Sequence, residues 1–199
     1  CSCVLFQNDA GIIIPEQKIW IIPRWRSRNS LAILLVNLWR LFVIQLIKIR
    51  VRPTVTISHL EGPNFANVLT GFGGRRILFV HNQIRQNYQV SNFSNRLKIG
   101  LVKMLYHRAD KVVGVSGDVC SDLIEFSNVE REKVLCVPNP IDTLAVSEAS
   151  EKRYGDFRDR FLEQRYLINV ASLTPQKNHR LLLKVFHQLV TGNDRYSDL

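Results

Sequence analysis

The sequence predicts an α/β fold with a parallel β-sheet, and two observations carry this prediction. Short β-rich runs alternate with helical runs from residue 54 to residue 137. Helical runs separate successive β-rich runs, as expected for right-handed crossovers between parallel strands. Hydrophobic residues make up 46% of the chain and charged residues 22%, which is typical of a folded protein and argues against disorder.

The predicted elements follow one another along the chain in a regular order. Two short apolar strands come first, at residues 4–6 and 18–22, and a long helix follows at residues 30–49. The alternating part then contains strand 54–58, helix 64–70, strand 77–80, helix 94–108, strand 111–115, helix 118–126 and strand 134–137. After a charged stretch that holds one short helix, strand 166–171 is predicted to begin a second domain.

The helix at residues 30–49 is predicted to be amphipathic. Its polar positions fall within about 140° of arc and leave a wide apolar face; they are Ser30, Asn37, Arg40, Gln45 and Lys48. A transmembrane span is disfavoured because Arg40 would lie in the middle of the bilayer. The helix is expected either to cover the sheet or to lie against a membrane surface, with basic residues near its ends: Arg24, Arg26, Arg28, Arg50 and Arg52.

The chain has a formal net charge of +10, and the surplus lies in its first part. Residues 1–143 hold 18 Lys and Arg against 10 Asp and Glu. No zinc-finger spacing, RNP-like strand or basic-region heptad accompanies this charge, which argues against nucleic acid as a partner. An anionic membrane surface or a phosphorylated, lipid-linked acceptor fits better.

The cysteines indicate a reducing compartment rather than a metal site. Cys1, Cys3, Cys120 and Cys136 show no CxxC pairing. Cys120 falls in a predicted helix and Cys136 in a predicted strand, so both are expected to be small buried hydrophobic residues. A cytoplasmic location is the simplest reading.

A polar turn between the predicted strand 166–171 and the following helix is a candidate phosphate site. Backbone N–H groups in the first turn of a helix stabilise an anion, and a lysine nearby adds to the effect. Lys177 is therefore a candidate diphosphate contact, with Asn178 beginning the helix. The alternative, that Lys177 is a solvated turn residue and Asn178 an ordinary helix cap, stays open.

Three ordered segments together carry a family resemblance. They are ADKVVGVS at residues 109–116, KVLCVPNPID at residues 133–142 and SLTPQKN at residues 172–178. This arrangement resembles the large family of retaining, nucleotide-sugar-dependent glycosyltransferases with two facing Rossmann-like domains, often called family four. The resemblance covers roughly residues 54–190. Where the family has Gly-Arg before the Leu of its third segment, this chain has Ala171-Ser172, so one expected basic side chain is absent.

The resemblance implies a domain organisation that is incomplete at both ends. Residues 1–139 would form an acceptor-side, doubly wound Rossmann-like domain without its first βα unit. Residues 140–165 would form a linker, and residues 166–199 the first strand and helix of a donor-binding Rossmann-like domain. We expect the 199-residue chain alone to lack activity, because the family's paired glutamates and base-binding loops have no counterpart in it.

The resemblance also implies roles for residues that follow the predicted strands, where ligands of doubly wound sheets bind. His81 would face the reacting sugar as the catalytic residue, with Asn82, Ser116 and Asn64 as further substrate contacts. Lys177, Ser172 and Asn178 would bind the donor diphosphate. No metal and no cofactor are expected. The structural alternatives are loop starters for His81 and Asn82, a helix N-cap for Ser116, which is favoured, and solvated loop residues for His59, Glu61 and Asn64.

The implied function is transfer of a hexose, with retention, from a nucleoside diphosphate sugar to a lipid-linked or polysaccharide acceptor. Such an enzyme would build cell-envelope polysaccharide or lipopolysaccharide from the cytoplasmic side, peripherally at the inner face of the membrane. Two alternatives stay open: another two-Rossmann nucleotide-sugar enzyme such as an epimerase, and a non-catalytic remnant that binds a membrane surface or nucleic acid through its basic charge.

Overall fold

The computed structural model describes residues 2–5, 18–22, 29–72, 74–87, 93–151 and 166–192. The chain divides into two compact units, Cys1–Asn139 and Pro140–Leu199. The assignment of residues 140–165 as a linker and of residues 166–199 as the start of a donor-binding domain stays a prediction.

The first unit is built on a parallel sheet. Its strands are β3 (Val55–His59), β4 (Arg75–Val80), β5 (Lys111–Gly114) and β6 (Val134–Cys136), hydrogen-bonded in that order. Strands β1 (Ser2–Leu5) and β2 (Lys18–Ile21) form a separate parallel pair. The predicted α/β Rossmann-like fold is confirmed, and the strand bounds lie within two residues of the predicted ones.

Helices accompany this sheet and bury apolar side chains of its two central strands. They are α1 (Ser30–Val51), α2 (Glu61–Leu69), α3 (Ile84–Asn87), α4 (Phe93–Leu105) and α5 (Gly117–Phe126). The main core joins Leu78, Val80 and Val112 of the strands to helical and turn residues that include Leu105, Tyr106 and Leu123. This packing holds the carboxyl ends of β3, β4 and β5 at one edge of the sheet.

Helix α1 turns its apolar face outward. The outer face of α1 consists of exposed side chains at helical spacing: Leu31, Leu34, Leu35, Leu38, Trp39, Phe42, Leu46 and Ile49. Its inner face packs through Ile44 against Ile22 and Ala66 of α2. The polar stripe therefore turns partly inward, and Lys48 is only 6% exposed. Of the two expected positions, the wide apolar face of α1 is exposed and does not pack on the sheet, and the position at a membrane surface stays a prediction.

The partners of Lys48 are the carbonyls at the end of α2. Lys48 Nζ donates to Asn67 O at 2.9 Å, to Asn67 Oδ1 at 2.8 Å and to Thr70 O at 3.2 Å. The last carbonyls of a helix lack partners within the helix and attract a cation. Burial, and then the charge of Arg76, lower the pKa of Lys48 to about 8. The Lys48 side chain therefore joins α1 to α2 through hydrogen bonds.

The two central cysteines differ in exposure. Cys120 is buried, and its Sγ lies 3.7 Å from Gly114 O and 3.6 Å from Leu135 O. Burial raises the pKa of the Cys120 thiol to about 11. Cys136 is exposed, so the expectation that it is buried is wrong. It lies on β6, the edge strand of the four-stranded sheet.

The second unit contains helices α6 (Thr143–Glu151) and α7 (His179–Gly192), with a short 3₁₀ turn at Pro175–Lys177. The predicted strand at residues 166–171 is wrong: this segment is irregular, with Ile168 78% and Val170 89% exposed. A strand needs a hydrogen-bonded neighbour, and the described residues of this unit include no other strand. Helix α7 confirms the helix predicted after the turn.

Candidate active site at the carboxyl edge of the sheet

The parallel strands bring several polar residues to one edge of the first unit. His59 ends β3 opposite Phe79 of β4, and His81 follows the last residue of β4. Val80 pairs with Gly114 of β5, so Ser116 leaves the sheet near the same level. Ligands of open α/β sheets bind beyond this edge.

His81 is in direct contact with a second histidine. Its Nε2 lies 3.1 Å from His59 Nδ1, and the two rings lie 5.4 Å apart between centroids at an angle of 34°. Burial, and then the neighbouring His81, lower the pKa of His59 below its usual value. The neutral form of His59 is therefore favoured, which suits a hydrogen bond between two imidazoles. We call His59 and His81 the histidine pair.

Sequence reasoning considered His59 among the residues after the strands and assigned it to a solvated loop, without a partner. The alignment of the two strands explains the contact, since side chains two residues apart on a strand share a face. Because β3 and β4 are parallel neighbours, a histidine opposite Phe79 lies beside one at position 81. That contact depends on the register between strands, which the sequence does not show.

The loop that carries His81 and Asn82 is tied to α5. Asn82 is exposed directly after His81. At the start of α3, Ile84 N donates to Asp122 Oδ2 at 2.6 Å, while Arg85 Nε lies 3.2 Å from Asp122 Oδ1. A second carboxylate, Glu125, holds the Arg85 guanidinium at 2.6 Å. A buried carboxylate that accepts a backbone N–H and pairs with a guanidinium is well satisfied, so the loop after β4 has a defined position.

Ser116 is the N-cap of α5. Its hydroxyl accepts a hydrogen bond from Val119 N at 3.3 Å. Two residues earlier, a Cβ added at Gly114 would lie 2.6 Å from Cys120 Sγ, so β5 and α5 approach closely only because residue 114 is glycine. Ser116 lies at the correct edge, and its side chain already serves the helix.

Asn64 requires a correction, because it does not lie in a solvated strand-end loop. It belongs to α2 and is 0% exposed. Its oxygen accepts from Ser58 Oγ at 2.7 Å, and its nitrogen donates to Phe79 O at 3.0 Å and to Tyr106 Oη at 3.2 Å. Both the oxygen and the nitrogen of this buried amide have partners, so Asn64 stabilises the carboxyl edge of the sheet and is not accessible to a substrate.

In the second unit, residues 172–178 form the turn that is expected to bind the donor diphosphate, called the donor turn below. This turn is closed by a histidine that the sequence analysis missed. His179 Nδ1 lies 3.1 Å from Asn169 Nδ2, which can only donate. His179 Nε2 must then carry the ring proton, and it donates to Ser172 O at 3.0 Å. Ser172 thus contributes its carbonyl to the turn. The side-chain spacing of residues 169, 172 and 179 offers no pattern that predicts this closure.

The other donor-turn residues lie at the start of α7. Asn178 adopts a left-handed conformation with φ 45°, and its side-chain oxygen accepts from Leu181 N at 3.4 Å. Asn178 therefore caps α7, as predicted by the alternative in which it is an ordinary helix cap. Lys177 is exposed at the end of the 3₁₀ turn, one residue before the cap. No group of three or more His, Cys, Asp or Glu residues suited to a metal occurs in the part of the chain that the structure describes.

Comparisons with known proteins show which family this chain matches and which proteins it resembles. The model of Glycosyltransferase Family 4 (Glyco_transf_4) matches residues 4–144, more than half of the chain. One similar curated protein is the N-acetylgalactosamine-N,N'-diacetylbacillosaminyl-diphospho-undecaprenol 4-alpha-N-acetylgalactosaminyltransferase of Campylobacter jejuni subsp. jejuni serotype O:2. The two are 24% identical over 135 residues, which cover 66% of this chain and 35% of that protein.

A solved structure has a similar fold. It is the crystal structure of Anabaena Alr3699/HepE in complex with UDP and glucose, with a TM-score of 0.58 and 14% sequence identity. The match covers 94% of this chain and 50% of that one. The chain thus spans about a third of the length of the curated relative and half of the solved chain.

Proposed function

Because the chain belongs to glycosyltransferase family 4, we propose that the protein that carries it transfers a hexose from a nucleoside diphosphate sugar to a lipid-linked or polysaccharide acceptor. Transfer proceeds with retention of configuration at the anomeric carbon. The role is the synthesis of cell-envelope glycan, including polysaccharide or lipopolysaccharide. The curated relative, whose name describes sugar transfer to a diphospho-undecaprenol acceptor, supports the lipid-linked acceptor.

The observation that carries this proposal is the histidine pair at the carboxyl edge of the sheet, inside the region that the family model matches. His81 is the catalytic residue: its imidazole contacts the transferred sugar or the acceptor hydroxyl and orients it. Asn82, exposed beside it, offers an amide to the same substrate. Ser116 contributes through the start of α5 rather than through its engaged hydroxyl.

The donor diphosphate binds at the donor turn. Lys177 and the first N–H groups of α7 stabilise negative charge, and that charge grows on the leaving diphosphate as its bond to the sugar breaks. Asn178 orders the helix start through its bond from Leu181 N, and the small side chain of Ser172 stands where the family resemblance expects an arginine. The reaction needs no cofactor and no metal, since the lysine and the helix start supply the positive field.

The outer face of α1 supports a peripheral position at the inner, cytoplasmic face of a membrane. Large apolar side chains follow one another over about 27 Å of helix, from Leu31 to Ile49. Arg50 and Arg52 are exposed at its end, where they suit anionic headgroups. The helix is long and apolar enough to cross a membrane by length and composition. Lys48 argues against a transmembrane span of α1, since such a span would break the three hydrogen bonds of Lys48 to α2.

The test is a transfer assay in the longest natural protein that carries this sequence. A panel of nucleoside diphosphate hexoses and polyprenyl-diphosphate-linked acceptors is supplied, and the product is analysed for acceptor-bound sugar. His81→Ala is expected to abolish most transfer without lowering the melting temperature, whereas His107→Ala, at an exposed histidine of the turn after α4, serves as the matched control. Sugar found only as an altered nucleotide sugar would identify an epimerase instead. Full activity of His81→Ala would refute the assigned site.

A further inference from the structure

The histidine pair joins the ends of two neighbouring strands. His59 Nδ1 contacts His81 Nε2 at 3.1 Å, while the His59 ring stacks on Phe79 with 4.6 Å between centroids and 24° between planes. Phe79 is also the register partner of His59 in β4. Two contacts therefore fix the His59 ring, and one of them is made to the ring that meets the substrate.

The backbone beside His59 adopts an unusual conformation. Leu60 has φ 70° and ψ 160°, a combination that residues other than glycine rarely adopt. Its N–H donates to Phe79 O at 3.3 Å, and its carbonyl accepts from Asn64 N at 2.9 Å, which starts α2. Such conformations persist where the surrounding fold requires them, and they cluster at functional sites. This turn lets the chain enter α2 while His59 stays beside β4.

The hydrogen bond within the pair restricts what His81 can do. A bond between two imidazole nitrogens needs a proton on one nitrogen and a lone pair on the other. At least one ring is therefore neutral, and Nε2 of His81 is occupied in either arrangement. Nδ1 is the nitrogen of His81 left for a third group. It donates to a sugar or phosphate oxygen when His59 is the donor of the pair, and it accepts from a hydroxyl when His81 is the donor.

We propose that His59 is a positioning residue: it holds the His81 ring through Nε2 and thereby presents Nδ1 of His81 to the substrate. The inference rests on the proposed function of His81. His59 itself touches neither the sugar nor the diphosphate in this arrangement. The same logic applies to histidines in other sites, where a bond at one ring nitrogen sets the tautomer at the other.

Two variants separate positioning from packing. His59→Phe keeps an aromatic ring to stack on Phe79 and removes both nitrogens. His59→Asn places an amide near the position of Nδ1 and restores a hydrogen-bond partner for His81. A purely structural role would favour the Phe variant, whereas the positioning role favours the Asn variant.

The first measurement is steady-state transfer by the longest natural protein that carries this sequence. His59→Phe is expected to lower kcat about tenfold or more with little change in KM for the nucleotide sugar, because misplacement of a catalytic group affects the rate more than binding. His59→Asn should recover most of that loss. Wild-type kcat in His59→Phe, or a poorer rate in His59→Asn than in His59→Phe, would overturn the inference.

His81→Ala is measured in the same assay, so that two failures can be told apart. If His81→Ala transfers at the wild-type rate, the proposed function of the site fails. If His81→Ala is inactive while His59→Phe is fully active, only the positioning role fails.

The second measurement needs no activity and uses the 199-residue chain. Cross-hydrogen-bond ¹⁵N–¹⁵N couplings should connect His59 Nδ1 with His81 Nε2 in the wild type, whichever ring donates, and His81 Nε2 should lose this coupling in His59→Phe. If His59→Phe does not fold, the wild-type spectrum decides. Absence of the coupling in the wild type would overturn the inference.

Discussion

Raising the pH from about 7 to about 9 should stabilise this protein through Lys48. Burial, and then Arg76, lower the pKa of this lysine from 10.5 to about 8 in the folded chain. Between these two values the unfolded chain holds a proton that the folded chain has released, so the free energy of unfolding rises with pH. From pH 7 to pH 9 the gain integrates to about 1 kcal/mol. The full shift corresponds to an upper limit of about 3 kcal/mol near pH 10.5 and above.

The upper end of this pH range is set by Cys120. Its pKa is raised from 9.0 to about 11, so its contribution to stability is present below pH 9 and is lost as the pH rises through 11. The two effects oppose each other from about pH 8 upward, where the unfolded thiol begins to ionise, and the effect of Lys48 remains the larger one up to about pH 9. Measurements should therefore stop at about pH 9.

The assay is urea unfolding at several pH values between 7 and 9. Lys48→Met is the control, because it removes the titrating group and should flatten the dependence on pH in this range. The variant should also be less stable than the wild type near pH 9, since Asn67 and Thr70 lose the donor that their oxygens share. A free energy of unfolding that is constant or falls from pH 7 to 9, or an equal slope in Lys48→Met, would refute the reasoning.

Three further predictions concern the outer face of α1, the donor turn and the carboxyl edge of the sheet. Phe42→Glu combined with Leu38→Glu should weaken binding to anionic phospholipid vesicles, measured by co-sedimentation, about tenfold or more. Each change removes a large apolar side chain from the outer face of α1. The control, Asn37→Glu, adds a charge outside that face and should change binding far less. Lys177→Ala, in the longest natural protein that carries this sequence, should weaken calorimetric binding of a nucleoside diphosphate by about 1–3 kcal/mol, and Ser172→Arg should strengthen it; unchanged affinity in Lys177→Ala, measured beside Lys184→Ala, would exclude the donor role. Gly114→Ala should lower the free energy of unfolding by about 1–3 kcal/mol, because its Cβ would meet Cys120 Sγ at 2.6 Å, whereas Gly117→Ala has open space around its Cβ and should be nearly neutral.

The sequence determined the features of this protein that local chemistry controls. The β-rich runs between Thr54 and Val137, separated by helical runs, led to the parallel sheet because strands of that kind need crossover helices. Ser116 before Gly117 predicted the cap of α5, since a hydroxyl at that position bonds the first free N–H groups. The turn before α7 was also recognisable from its polar residues.

Tertiary structure decided what depends on a neighbour. Residues 166–171 have the composition of a strand, yet they form none because no partner strand lies beside them among the described residues. Lys48 was placed among the polar positions of an amphipathic helix, and it lies inside because three oxygens at the end of α2 offer it partners. The histidine pair arises from the register of β3 on β4. Residues 22 positions apart meet there because backbone hydrogen bonds between strands set the alignment, and that alignment is a property of the assembled sheet.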